Sequence, residues 1–361
     1  MRCRQRCGAT RLGSANMHFM QRNDTTFPHG GPEPALAAVL RTVPLDDPGA
    51  ALRALVAAGA DRLPLPGSGA TLARWRALAA VGAHDLSLAK LFEGHADALA
   101  ILHEAGAPGV AAGSTWGTWC AEPPDARVTL SRNGDAALLD GRKAWCSGAR
   151  SVSHAVVSCW NEAGDPVLAA VDLRQRGVSM DDGAWHATGM QASGSIDVHF
   201  DRVVARPIGG AGFYVGRAGF WHGGAGVAAC WYGAAAALAD ALVAAMQARP
   251  DPHRLAQLGQ ASVALQGSAA LLRETATLID ADPCADAMRA ALGVRLSVES
   301  AANLVLAAVG RALGPGPMCR DAAMARRFAD LPVFMRQSHA ERDQEALGRL
   351  LAGDGERPWT L

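Results

Sequence analysis

The sequence predicts an α+β multidomain chain: a short N-terminal helical domain over residues 33–107, a small central β-barrel over residues 108–207 and a C-terminal four-helix bundle over residues 208–361. Three observations carry this. Apolar residues recur at three- and four-residue spacing up to residue 107. At Ala107-Pro108-Gly109 the pattern changes to short β-prone runs separated by turn signals. From Gly209 long helical periods return, broken by Pro- and Gly-rich joints.

Residues 1–20 are basic and uneven, without the continuous apolar core of a signal peptide. Residues 1–32 are expected to form a disordered arm, with Met17 or Met20 as an alternative start and Cys3/Cys7 as incidental thiols. Helices are expected over Ala35–Leu40, Ala50–Ala58, Leu72–Val81 and His84–Ala105, with Asp85 as a cap for the longest. Strands are expected over Ser114–Ala121, Val128–Arg132, Ala136–Leu139, Lys143–Ser147, His154–Trp160, Val167–Asp172 and Ser195–Val203. Asn133-Gly134, Asp140-Gly141 and Ala163-Gly164-Asp165 are the turns between them. The bundle helices are expected over Gly223–Met246, Arg254–Ile279, Ala285–Leu313 and Asp321–Leu351.

Composition narrows the function. Lys plus Arg equals Asp plus Glu, at 34 each, so the basic excess of a nucleic-acid binder is missing. The eight Cys show no zinc spacing and are expected to be reduced thiols of a cytoplasmic protein. Gly223–Met246 is apolar enough to raise the membrane question, but its small residues with Trp231, Tyr232 and Asp240 favour a packed bundle helix and no membrane span.

The most informative stretch is LLDGRKAWCSGAR, residues 138–150. It reads as a hairpin turning at Asp140-Gly141. Trp145 and Ser147 lie two apart and are expected on one strand face, an apolar wall beside a hydroxyl. That pairing suits a planar, polar-edged ring; from this stretch alone, a buried Trp in a hairpin is the simpler reading.

Five stretches, in this order, resemble the acyl-CoA dehydrogenase family of flavoproteins over roughly residues 84–349. They are Trp119-Cys120-Ala121-Glu122-Pro123, LLDGRKAWCSGA, the segment Gly189 to Ala205, Arg254 to Gly259, and Cys319-Arg320-Asp321-Ala322. The resemblance implies FAD between barrel and bundle. Trp145 and Ser147 would flank the flavin ring, with Ser147 near N5 and O4. Cys120 and Ala121 would pass its pyrimidine side, Arg249 would reach the pyrophosphate, and Gly314 and Gly316 would approach a neighbouring subunit's cofactor. It also implies a homodimer or homotetramer, an acyl thioester or acyl-like substrate dehydrogenated at α,β, and a separate electron acceptor or reductase.

Dehydrogenation needs a carboxylate to take the α-proton. The family's position in the last helix falls at Ala329, so Asp330, one residue on, is the expected base; a capping role before Leu331-Pro332 is the alternative. The family's other position falls at Gly223-Gly224. The chain also lacks the family's Gly-Ser-Asp after Glu-Pro and has Ala121 where the flavin-contacting Thr stands. Two other readings follow: a flavin monooxygenase on the same fold, with His339 as acid/base, and a non-catalytic relative that has lost part of the site.

Overall fold

The computed structural model describes residues 34–134, 136–354 and 357–360. The arm expected over residues 1–32, with its two cysteines and alternative starts, lies outside them. Four helices come first: α1 Pro34–Leu40, α2 Pro48–Ala57, α3 Thr71–His84 and α4 Leu86–Glu104. Asp47 and Asp85 cap α2 and α4, accepting from Ala50 N and Leu88 N at 2.8 Å each. Helix α4 is buried nearly all round, Glu93, His95 and Asp97 included, because later elements cover its polar side as well as its apolar one.

The strands are β1 Trp116–Trp119, β2 Val128–Asn133, β3 Ala136–Cys146, β4 His154–Asn161, β5 Pro166–Asp172, β6 Val178–Asp181 and β7 Ile196–Ile208. Pairing runs β4-β2-β3-β7-β5, and β5 pairs again with β4, which closes a small barrel; β1 lies beside β4 and β6 beside β7. The Asn133-Gly134 turn joins β2 to β3, with Gly134 at φ +60°.

The expected hairpin turn at Asp140-Gly141 is not there. Strand β3 runs straight through it, with a bulge against β7 between Leu139 and Gly141. Gly141 sits at φ +122°, and a Cβ on it would lie 2.2 Å from the Arg127 carbonyl oxygen. Asp-Gly therefore serves a crowded bulge, where only glycine fits, instead of a chain reversal. A second shift follows between Lys143 and Cys146. There Trp145 takes φ +58°, a rare conformation for a bulky residue. Strict alternation would place Lys143 and Trp145 on one face; instead Lys143 is 0% exposed and Trp145 61%.

Beyond a short turn α5 (Phe213–Gly216) come α6 Gly219–Ala248, α7 Pro252–Ala281, α8 Met288–Leu313, α9 Pro315–Arg320, α10 Ala322–Met335 and α11 Glu341–Asp354. Helices α3, α7 and α8 clad α6. Two glycines set the α3–α6 distance. A Cβ on Gly82 would lie 2.2 Å from the Cys230 carbonyl oxygen, and one on Gly233 1.9 Å from that of Ala79. The helix expected over Asp321–Leu351 is two, α10 and α11. Glu299 of α8 accepts from Arg336 and, at 3.2 Å, from Ser338 Oγ, which pins the joint, and Ala340 takes φ +41° before α11 starts.

Candidate functional site

The end of β3 meets α4 and the loop before β7. Gly148, at φ +69°, lies where a Cβ would come within 2.9 Å of Leu91 of α4. Its N–H donates to the Ser193 carbonyl at 2.7 Å. Trp119 Nε1 donates to the Ser147 carbonyl at 3.0 Å, which fixes the end of β1, just before Cys120 and Ala121, to the end of β3. The Trp145 ring stands outward from this rigid corner. A large exposed indole held by a left-handed backbone is costly unless something flat covers it, and that cost is characteristic of ligand-facing positions. An isoalloxazine fits such a wall.

Ser147 is half-buried, and its hydroxyl continues inward. Ser147 Oγ lies 2.7 Å from Ser195 Oγ, and Ser195 Oγ 2.9 Å from Ser193 Oγ. Ser193 Oγ donates to the Met190 carbonyl at 2.7 Å. Met190 N donates in turn to Asp330 Oδ1 at 2.5 Å. Beside it, a Cβ on Gly189 would meet the Ala329 carbonyl oxygen at 2.1 Å, so the loop lies hard against α10. Ser193 and Ser195 were not among the expected site residues. Both stand in the segment that carries the resemblance, but nothing in a Ser-x-Ser spacing says that the hydroxyls converge.

Asp330 is thus the anchor of the 189–195 loop. It is 5% exposed. Beyond Met190 it borders a cavity of about 10 Å³ shared with His84, Asp85, Arg326 and Arg327, room for one water and not for a substrate. Burial pushes its carboxyl up to about 6, the Asp85 charge adds to this, and the Met190 N–H opposes it.

Cys120 is half-buried beside Tyr214, and burial pushes its thiol up to about 12. Directly after it, Glu122 clamps the segment to the barrel. Its carboxylate accepts from the buried Lys143 ammonium, from Ser158 Oγ and, at 3.0 Å, from Trp160 Nε1. Burial raises Glu122, but these donors together hold it below the ordinary carboxylate value. Lys143 Nζ also donates to Ser158 O at 2.9 Å and Ser158 Oγ at 2.6 Å. Glu122→Ala would remove the counter-charge of a fully buried ammonium. With the Ser158 bonds retained, a loss of about 1.5 kcal/mol is expected, read as a lower urea midpoint at unchanged slope.

A second polar cluster lies between α4 and the start of α6. Arg217 donates to Asp97 Oδ1 at 3.1 Å and Glu104 Oε2 at 3.0 Å, and Gly219 N donates to Glu104 Oε1 at 3.0 Å. Gly223, one of the two family base positions, faces this cluster: a Cβ there would lie 3.1 Å from Asp97 Oδ1. Neither Asp97 nor Arg217 stood out in the sequence, because their meeting joins α4 to the segment before α6, 120 residues on.

Gly314 lines a separate cavity of about 380 Å³ with Asp251, His253, Arg254, Gln257, Arg311, Ala312 and Leu313. Gly314 takes φ +67° between α8 and α9, while Gly316 is exposed and faces open space. Arg249 is the exposed C-cap of α6 and is not part of that lining. His339 is exposed in the α10–α11 joint.

No family model matches the chain, and no curated protein matches it. Solved structures do. KijD3, in complex with FMN and dTDP-3-amino-2,3,6-trideoxy-4-keto-3-methyl-D-glucose, matches with a TM-score of 0.74 and 22% identity over 90% of this chain and 93% of that one. TdsC from Paenibacillus sp. A11-2, a dibenzothiophene monooxygenase bound to FMN and indole, matches with a TM-score of 0.74 and 18% identity over 90% and 97%. A variant of the steroid ACAD Tcur3481-Tcur3483 matches with a TM-score of 0.68 and 21% identity over 89% and 92%. Helices, closed barrel and helices again, in this order and at this likeness, give the chain the fold of the acyl-CoA dehydrogenase-type flavoproteins.

Proposed function

We infer that the chain is a flavin-dependent monooxygenase that takes FMN, reduced by a partner reductase, and oxygenates a small organic substrate. One observation carries the choice over dehydrogenation. Neither place where this fold is expected to hold a base offers a free carboxylate. Asp330 is spent on Met190 N and a water-sized cavity, and Gly223-Gly224 have no side chain. FMN in place of the expected FAD is supported by the FMN complexes of KijD3 and TdsC. Bound reduced flavin supplies the two electrons that split O₂ between substrate and water. The chain's part is to back the ring with Trp145, to hold its polar edge at Ser147, and to close the site with α4 and the 189–195 loop.

The reading includes a homo-oligomer, because Gly314, one of the two glycines where the resemblance puts a neighbouring subunit's cofactor, lines a cavity with Arg254. It also puts enzyme and reductase in the cytoplasm, in keeping with the free thiols of the described cysteines. The test is turnover of indole with FMN, NADH and a separate flavin reductase under ¹⁸O₂. One labelled oxygen atom per product is expected.

A second reading, α,β-dehydrogenation of an acyl thioester, is favoured by Asp97 alone, a carboxylate from α4 in the place beside Gly223. Anaerobic bleaching of the flavin by an acyl-CoA, lost in Asp97→Asn, would establish it and displace the first. A protein that takes up neither FMN nor FAD would sink both.

A further inference from the structure

The serine chain behind Ser147 has a direction. A hydroxyl has one proton to donate and two lone pairs to accept with. The Met190 carbonyl can only accept, so the Ser193 proton is spent on it. In the 2.9 Å contact between Ser193 Oγ and Ser195 Oγ, Ser195 must then be the donor. Its proton is gone in turn, so in the 2.7 Å contact Ser147 donates to Ser195. Ser193 is 1% and Ser195 4% exposed, so water has little access to break the order. An unmade bond in so buried a row is costly, because no water replaces the missing partner. The end of the row is fixed as well, since the Met190 backbone is docked on α10 through Asp330.

We propose that the Ser193–Ser195 row makes Ser147 an acceptor-only contact and thereby selects reduced over oxidised flavin. This rests on the flavin reading above, with the ring edge carrying N5 and O4 beside Ser147. On that edge oxidised flavin has two acceptors, N5 and O4, and no proton. Reduced flavin carries a proton on N5. A hydroxyl whose proton points inward repels the first and accepts from the second. Ser193 and Ser195 are positioning residues: they touch no ligand and act through the orientation of the Ser147 proton. The device suits an enzyme that receives its flavin already reduced. A dehydrogenase, which must hold oxidised flavin while substrate binds, gains from the opposite polarity.

The experiment is anaerobic titration of the full chain with oxidised FMN and with dithionite-reduced FMN, together with the potential of the bound flavin. The wild type is expected to bind reduced FMN at least about tenfold tighter, which for a two-electron couple raises the bound potential by about 30 mV over free FMN. Ser195→Ala frees the Ser147 proton. Ser193→Ala removes the acceptor of Ser195, which can then turn and donate to Ser147. Each is expected to cut the tight-binding ratio about tenfold with Ser147 intact, and Ser147→Ala to match them. If Ser195→Ala does not fold, Ser193→Ala alone carries the comparison. A wild-type ratio near one, or a ratio unmoved by both relay variants, overturns the proposal while leaving the flavin reading in place. Failure to bind either form of FMN overturns the flavin reading and the proposal with it.

Discussion

Replacing Gly233 with alanine is expected to destabilise the protein by about 3 kcal/mol, although alanine is the better helix former by about 1 kcal/mol. The reason is distance. The added methyl would sit 1.9 Å from the Ala79 carbonyl oxygen, and a helix backbone cannot move aside as a flexible side-chain tip can. Helices α3 and α6 must part, and the packing of Leu78, Val81 and Trp231 around the contact goes with them. Gly82→Ala meets the Cys230 carbonyl oxygen at 2.2 Å from the other side and should cost a similar amount. The two sites report one helix separation, so the double variant is expected to fall short of additivity by more than about 1 kcal/mol. Gly267→Ala, inside α7 with nothing near its Cβ, should have the opposite sign and stabilise by about 0.5–1 kcal/mol. Urea unfolding of the four variants settles the set. Equal effects at Gly233 and Gly267 would show that helix propensity, and not contact, decides.

That contact marks where the sequence was legible. A helix as rich in Gly and Ala as α6 announces a close neighbour, and the Asp85 cap and the β4–β5 turn at Ala163-Gly164-Asp165 were also readable, because capping and tight turns are local chemistry. What misled was local chemistry put to a non-local use. Asp140-Gly141 carries a strong short-range turn signal, yet the demand it meets comes from Arg127 on the neighbouring segment. Trp145 and Ser147 were placed by a period of two, which a bulge breaks, and a bulge depends on the partner strand. The helix break at residues 336–340 depends on Glu299, far back in α8. The family motifs marked the region of the site; the serine row and the Asp97–Arg217 pair exist only once α10 and α6 are packed.

Asp330→Asn is expected to stabilise the protein at pH 7.5 by about 2 kcal/mol and to change almost nothing at pH 3. The folded carboxyl titrates at about 6, above its ordinary value of 3.8. The native state therefore binds the extra proton between those values. Stability from this group is fully present below about pH 4 and is lost as pH rises through 6. At 1.4 kcal/mol per pKa unit the loss is at most roughly 3 kcal/mol, and water in the adjoining cavity screens part of it. Asparagine keeps an oxygen for Met190 N and carries no charge to bury near Asp85. Asp330→Ala keeps neither, leaves the Met190 N–H unpaired and should lie about 1–3 kcal/mol below Asp330→Asn at both pH values. The same pair of variants separates anchor from base. If Asp330 removed a substrate proton, Asn would abolish turnover as fully as Ala does. If it holds the 189–195 loop, Asn keeps turnover near that of the wild type and Ala loses it together with the preference for reduced flavin, because the relay behind Ser147 loses its fixed end.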